Sequence, residues 1–334
     1  MSDKPLLVRD LGEHDLLARL QRYCPREIVG DDGAILTIDK DKSLVVTTDV
    51  LVDEVHFSDR TTSAFDAGWR AVTANLSDLA AMGATPVGIT IGLALPGKKA
   101  ISWVESLYQG IKTCLDQHKT PLVGGDLCRS KMTTIAITAF GAVDPKKAIR
   151  RNNAKPGHAI VITGMHGLSR GGLEILLHPD IDNNNLEIEE RARLIQAHQR
   201  PNPRLDVLTY LANIPADIAI AGMDSSDGLA DAIVQICQSS NVGARIKRES
   251  LITFTGLSKL ADMNQALSWI LYGGEDFELV LSLPRSFAEK LVMQLGKDAK
   301  IIGEITQEKN IIFINQDNSD DDEILDLNQR FKHF

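Results

Sequence analysis

The sequence predicts an α/β (α+β) protein of two domains with mixed sheets, divided near residue 150. Three observations lead there. The chain has 334 residues, enough for two domains of ordinary size. Short β-branched runs alternate with longer amphipathic ones, as expected of strands and helices packed in layers. A polar, basic connector, DPKKAIRRNNAKPGHA (144–159), breaks the alternation near the middle, and the alternation then starts again.

The elements follow in order. SLVVTTDVLV (43–52) is rich in β-branched residues and reads as a strand. AFDAGWRAVTANLSDLAAMGATP (64–86) reads as a helix stopped by Gly83 and Pro86. VGITIGLALP is a strand and ISWVESLYQGIKTCLDQH an amphipathic helix. TPLVGGD is a short strand entering a glycine turn, and TTIAITAFGAV is a further strand. After the connector come strand AIVITG, a glycine-rich turn, helices GGLEILLH and EERARLIQAHQRP, strand DIAIAG and helix GLADAIVQICQSS. FELVLSLP is a strand, SFAEKLVMQLG a helix, and DNSDDDE (317–323) a solvated loop.

Composition narrows the function. Hydrophobic residues make up 43% and charged residues 24%, the profile of a soluble globular protein. A net charge of −9 argues against nonspecific nucleic-acid binding and against an anionic membrane surface. The N-terminal MSDKPLLVRDLGEHDLLARL has no basic n-region and no long apolar core, so it is not a signal peptide, and no apolar run reaches the length of a membrane span. Cys24, Cys114, Cys128 and Cys237 form no CxxC pair. They read as reduced thiols, which predicts a cytoplasmic protein.

The acids carry the chemistry. They recur in VGDDGAIL (Asp31, Asp32), VVTTDVL (Asp49), NLSDLAAMG (Asp78), LVGGDLC (Asp126), GMDSSDGL (Asp224, Asp227) and YGGEDFELV (Glu275, Asp276). Most adjoin an apolar run and a glycine or small polar residue. Helix capping accounts for some of them. Asp224 closes a run that reads as a buried strand, and an acid at a strand end faces the crevice where ligands bind in α/β folds. Asp231, four residues past Asp227, reads as lying on a solvated helix face. Asp78 lies within about 60° of Ala71, Ala74, Asn75, Ala81 and Met82 on a helical wheel, a small-residue face of the kind that is buried. A carboxylate there requires a partner. The candidates are a divalent cation or a hydrogen bond from Asn75 or the backbone. Hard oxygen donors with little histidine or cysteine suit Mg²⁺, and several such sites suggest Mg²⁺ with ATP. The usual ATP loops, GxxxxGK[ST] and the protein-kinase glycine loop, are missing. GMHGLSRGGLEI (164–175) is either a phosphate loop or a turn.

The ordered series GDDGA, TTDVLVDEVHF, GWRAVTANLSDLAAMGATP, VGGD, RRNNAKPG, MDSSDGLADAI, GGEDFELV, IIGEI and a terminal HF resembles the thiamine-monophosphate kinases, within the aminoimidazole-ribonucleotide-synthetase-like superfamily. The resemblance implies γ-phosphoryl transfer from ATP to thiamine monophosphate, giving thiamine diphosphate. Transfer would be in line, with several Mg²⁺ ions and no phosphoenzyme. It implies a homodimer formed through an ATP- and Mg-binding N-terminal domain (1–150). A C-terminal α/β sandwich (151–334) would complete an active site in the cleft. By motif, metal ligands carry over to Asp31, Thr47, Thr48, Asp49, Asp78, Asp126, Asp224 and Asp227. ATP contacts carry over to Tyr108, Gly125, Asp126, Arg150 and Ser226, and substrate contacts to His56, Glu275 and Phe334. Asp126, Asp227 and Arg150 are the implied catalytic residues. One sequence does not separate Arg150 from Arg151. The chain departs from the family pattern at Gly33, at His158, at Ser225 in DSSDG, and at the terminal RFKHF, where Lys332 stands in place of an acid. The alternatives are another superfamily activity, on a formylglycinamidine-type amide or on selenide, or a noncatalytic nucleotide- or thiamine-binding protein.

Overall fold

The structure is a computed structural model that describes residues 5–25, 28, 33–181, 185–251, 254–314 and 323–324. Asp31, Asp32, residues 317–322 of the acidic run, and Phe331 and Phe334 lie outside the described residues. By contact the chain forms two compact units. One comprises residues up to Leu79 with Thr85–Val143, and the other comprises Ala80–Ala84 with the chain from Asp144 onward.

The first unit holds helices α1 (Val8–Leu11) and α2 (Glu13–Leu20), strand β1 (Ser43–Val52) and helix α3 (Ala64–Ala81). Strand β2 (Thr85–Leu95), helix α4 (Ile101–Gln117), and strands β3 (Leu122–Arg129) and β4 (Thr134–Val143) follow. The sheet order is β1-β4-β2-β3, antiparallel except for the parallel pair β2·β3. Side chains alternate along the middle of β1, β2 and β4. Ile89, Ile91, Leu93, Ile135, Ile137 and Ala139 are buried on one face, while Leu44, Val46 and Val50 are exposed on the other. Pro86 sits inside β2 rather than ending the helix, which stops at Ala81 ahead of a left-handed Gly83.

The second unit contains β5 (His158–Ile162), α5 (Leu168–Leu177), α6 (Ile188–Gln199), α7 (Val207–Leu211), β6 (Ala221–Asp224), α8 (Leu229–Ser240) and β7 (Gly243–Lys247). It continues with α9 (Thr255–Leu260), α10 (Met263–Tyr272), β8 (Leu279–Pro284), α11 (Arg285–Leu295), β9 (Lys300–Thr306), β10 (Ile311–Ile314) and β11 (Glu323–Ile324). The sheet order is β11-β10-β7-β9-β5-β8-β6, with β10·β7 parallel and the other pairs antiparallel. Both faces are covered. Ile160, Ile162 and Val280 pack into one core with α8 and α10, and Ala159, Val161, Leu279 and Leu281 into another with α7 and α11. A strand buried on both faces reads as a continuous apolar run, as HAIVI does. The two-domain α/β class with mixed sheets therefore holds.

Two local expectations are corrected. The strand expected at DIAIAG lies further along, at Ala221–Asp224, where it pairs as an edge strand with β8 and ends on the aspartate itself. Asp231 is not on a solvated face. It is 8% exposed and accepts a hydrogen bond from Gln235 Nε2, whose Oε1 accepts from Arg151 Nη1. The first turn of a helix favours an anion, and this one is further stabilised by the amide that links it to Arg151.

Candidate active site

In the first unit, period two on β1 and period 3.6 on α3 bring one set of oxygens together. Thr47 and Asp49 share the covered face of β1, and Asn75 and Asp78 share one face of α3. Thr47 Oγ1 donates to Asp78 Oδ2. Asn75 Oδ1 accepts the Asp49 backbone N–H at 3.2 Å, and its Nδ2 donates to the Ala71 carbonyl at 3.0 Å. Asn75 is thus committed to Ala71 and to the strand, and the threonine hydroxyl bonds Asp78. Thr48 points the other way. Its hydroxyl lies on the opposite face, 2.9 Å from that of Thr138 directly across the ladder.

A cavity of about 230 Å³ in the same unit is lined by Gly33 and Ala34, the described end of the GDDGA segment, and by Cys24, Tyr108, Gly124, Gly125 and Asp126. Asp126 and Gly125 lie on the outer strand β3 and are exposed. Tyr108 is buried, and burial, with a smaller contribution from nearby Cys24, pushes its phenol pKa up, so the hydroxyl keeps its proton. Its ring leans against that of Tyr23 with centroids 5.6 Å apart. His56 sits in the turn after β1. The Val52 N–H donates to its Nδ1 at 3.1 Å, which leaves the ring proton of the neutral form on Nε2.

In the second unit the acids stand on two loops that are joined main chain to main chain. Asp224 ends β6 and is buried, and Ser226 Oγ donates to its Oδ1 at 3.1 Å. Asp227 is exposed, one residue before the α8 cap Gly228. The Glu275 N–H donates to the Ser226 carbonyl at 2.7 Å, and the Ser225 N–H and Oγ both donate to the Glu278 carbonyl, at 2.9 and 3.0 Å. The GGEDF loop reaches this position through left-handed Gly274, Glu275 and Phe277. At Gly274 a Cβ would meet the Ser226 carbonyl at 2.7 Å, so only glycine fits there.

Asp276 faces inward. Its carboxylate accepts the Gly167 and Ser169 N–H groups at 2.7 and 2.9 Å and so caps α5. Burial pushes its pKa up to about 7, against the pull of those two bonds. The glycine-rich GMHGLSRGG segment is therefore a turn whose helix N-terminus is taken by an internal carboxylate. Its Gly172 lies where a Cβ would meet the Leu194 carbonyl at 2.0 Å, so glycine here lets α6 approach. Glu278 is largely buried and bonded by Thr163 Oγ1 at 2.6 Å and by Arg204 Nη1; burial raises its pKa and the guanidinium opposes the shift. Asp276, Glu278, Arg204 and His166 were missed as site residues. The first two are quoted within GGEDFELV, but nothing in the string tells a helix cap or a buried ion pair from a ligand.

Arg150 and Arg151 are both exposed, and they differ. Arg151 donates to Gln235, and its carbonyl accepts from Ser240 Oγ at 2.8 Å. Among the described residues Arg150 has no such partner. Also among them, no three His, Cys, Asp or Glu side chains stand close enough together to hold a metal ion. The Thr47 hydroxyl and the Asp78 carboxylate meet, and Asp49 shares the strand face of Thr47; all three are hard oxygen donors. That suits Mg²⁺ and does not suit zinc.

Residues 30–143 match the model of the AIR synthase related protein N-terminal domain, and residues 155–315 that of its C-terminal domain. The thiamine-monophosphate kinase of Synechococcus elongatus is 50% identical over 337 aligned residues, covering 100% of this chain and 99% of the relative. That of Escherichia coli is 35% identical, covering 88% and 90%. The chain belongs to the thiamine-monophosphate kinase family. It is an enzyme, a kinase, on the AIR synthase related fold. The Stenotrophomonas maltophilia thiamine-monophosphate kinase superposes with a TM-score of 0.78 at 32% identity, covering 89% of this chain and 95% of that one. AaThiL complexed with AMPPCP and TMP superposes with a TM-score of 0.73 at 28% identity, covering 98% of each.

Proposed function

We propose that this chain transfers the γ-phosphoryl group of ATP to the phosphate of thiamine monophosphate, in line and without a phosphoenzyme, as the last step to thiamine diphosphate. The observation that carries this reading is family membership over the full length, at 50% identity to a thiamine-monophosphate kinase. The relative complexed with AMPPCP and TMP supports the choice of substrates. Asp49, Asp78 and Thr47, with Asp31 and Asp126, would hold Mg²⁺ in the first unit, and Asp224 and Asp227 in the second. Thr48 would contribute only through its main chain. Bound Mg²⁺ would neutralise phosphate charge that this acidic chain otherwise repels.

The residues divide the remaining work. Gly125 lines the cavity and would let a phosphate approach the backbone, Tyr108 borders the same cavity as a neutral phenol, and Ser226 orients Asp224. Arg150 is the arginine available to a phosphate, since Arg151 is engaged by Gln235. His56 and Glu275 would meet the thiamine moiety, together with Phe334. The bare apolar row Leu44, Val46 and Val50, 46–55% exposed, supports a homodimer formed through this sheet. Among the described residues no helix is long and apolar enough to cross a membrane, and the cysteines are free, which supports a cytoplasmic setting. An assay with ATP, Mg²⁺ and thiamine monophosphate, reading thiamine diphosphate by chromatography, tests the proposal. Product should form from the monophosphate and hardly at all from free thiamine. Equal use of the two acceptors would sink it.

A further inference from the structure

His166 is a fully buried histidine in the turn before α5, and none of the roles assigned so far uses it. Its Nε2 lies 3.0 Å from Ser225 Oγ. Counting protons fixes the direction of that contact. The Glu278 carbonyl can only accept, and Ser225 Oγ lies 3.0 Å from it, so the single hydroxyl hydrogen is spent there. The contact with His166 then requires Nε2 to carry the proton and donate, with Nδ1 left buried and without a hydrogen-bond partner among the described residues. Burial agrees, lowering the ring's pKa to about 4, so the imidazole is neutral. Donation therefore runs from His166 Nε2–H to Ser225 Oγ–H to the Glu278 carbonyl.

The relay ends where the two active-site loops meet. Ser225 lies between Asp224 and Ser226, and Ser226 donates to Asp224 and accepts the Glu275 N–H. Asp276, from the same loop as Glu275, holds the Gly167 and Ser169 amides just beyond His166. His166, Ser225, Glu278 and Asp276 thus close a ring through buried polar atoms. Breaking one link leaves a buried group unpaired and removes the restraint on both loops.

We propose that His166 and Ser225 are positioning residues that, through the Glu278 carbonyl, fix the loop bearing Asp224 and Asp227 against the loop bearing Glu275. The catalytic consequence rests on the phosphoryl-transfer reading; the mechanical one does not. Three variants of the full chain test it: His166→Leu and Ser225→Ala, which break the relay, and His166→Gln, whose amide can restore the donor. Amide hydrogen exchange at Ser225 and Glu275 should speed up about tenfold in the first two and stay near wild type in the third, the scale of one lost hydrogen bond. At saturating ATP, kcat should fall about tenfold in the same two, with KM for ATP nearly unchanged. Exchange at wild-type rates in His166→Leu and Ser225→Ala overturns the proposal, as does a His166→Gln variant that exchanges as fast as His166→Leu. If His166→Leu does not fold, Ser225→Ala, which removes one oxygen, decides. A wild-type chain that makes no thiamine diphosphate defeats the phosphoryl-transfer reading alone, because exchange still reads the relay.

Discussion

The acids of the two units are held in different ways. In the first unit they stand on regular elements, with Asp49 on β1, Asp78 on α3 and Asp126 on β3. The period of each element decides which way they point. In the second unit Asp224, Asp227 and Glu275 stand at or beyond the ends of elements, and buried loop-to-loop hydrogen bonds set their positions. A strand or helix aims a side chain through its own ladder. A loop needs outside partners, and here these are a buried histidine, a serine, the Glu278 main-chain carbonyl and the Asp276 carboxylate. The contrast predicts that first-unit substitutions act singly, whereas those in the second-unit ring act together.

The largest effects should come from acids that reach solvent in either unit. Asp126 and Asp227 are exposed, so their amide variants should keep the fold. Asp126→Asn and Asp227→Asn should each lower kcat about 10³-fold, with unchanged melting temperature, if both hold metal-bridged phosphate. A folded Asp126→Asn enzyme with near-normal turnover would remove the first unit from the chemistry.

A smaller effect separates the two faces of β1. Thr47→Val removes the hydroxyl that bonds Asp78, and should raise the Mg²⁺ concentration for half-maximal rate about tenfold. Thr48→Val removes a hydroxyl that meets Thr138 across the sheet, and should leave that concentration unchanged. Equal shifts in the two variants would mean that strand alternation does not govern the site.

This pair also marks how far the sequence could be read. The β-branched run SLVVTTDVLV and the small-residue face around Asp78 were legible, because they depend only on local composition and period, but the opposite facing of Thr47 and Thr48 was not drawn from it. The assignment of Asp78 to a cation or to Asn75 was not, because the bonded hydroxyl comes from Thr47, on a different element. Asp231 was misread because a helical wheel of α8 places Gln235 beside it at i+4 but does not include Arg151, which comes from outside the helix and engages that amide. The short strand GARIK and helices α9 and α10 drew no assignment; the strand alternates but is only five residues long. In GGEDFELV the motif was plain, yet neighbouring acids received opposite tasks. Glu275 is left-handed and lies beside Ser226, while Asp276 turns inward to cap a helix more than a hundred residues away in sequence.

The two arginines of the connector offer a test of intermediate size. If Arg150 meets the ATP phosphates, Arg150→Ala should raise KM for ATP about tenfold without changing the melting temperature. Arg151→Ala removes the donor to Gln235 and should lower the melting temperature by a few degrees while sparing KM. The reverse pattern would exchange their assignments.

The smallest effect is on pH dependence, and it belongs to the second-unit ring. His166 has a folded pKa of about 4 against an ordinary 6.5, so its contribution to stability is complete above 6.5 and is lost as pH falls toward 4, where the unfolded chain binds the proton more tightly. Asp276 has a folded pKa of about 7 against an ordinary 3.8, so its contribution is complete below 3.8 and is lost as pH rises toward 7. The two slopes oppose each other across the shared window. Urea midpoints taken between about pH 4 and pH 7.5 should separate them, with each variant subtracted from the wild type to cancel the other titrating groups. Relative to His166→Gln, the wild type should lose stability as pH falls; relative to Asp276→Asn, it should lose stability as pH rises. Parallel curves for either variant would mean that its group titrates alike in the folded and unfolded chains. The ring would then hold its loops through geometry alone, with no protonation cost built into it.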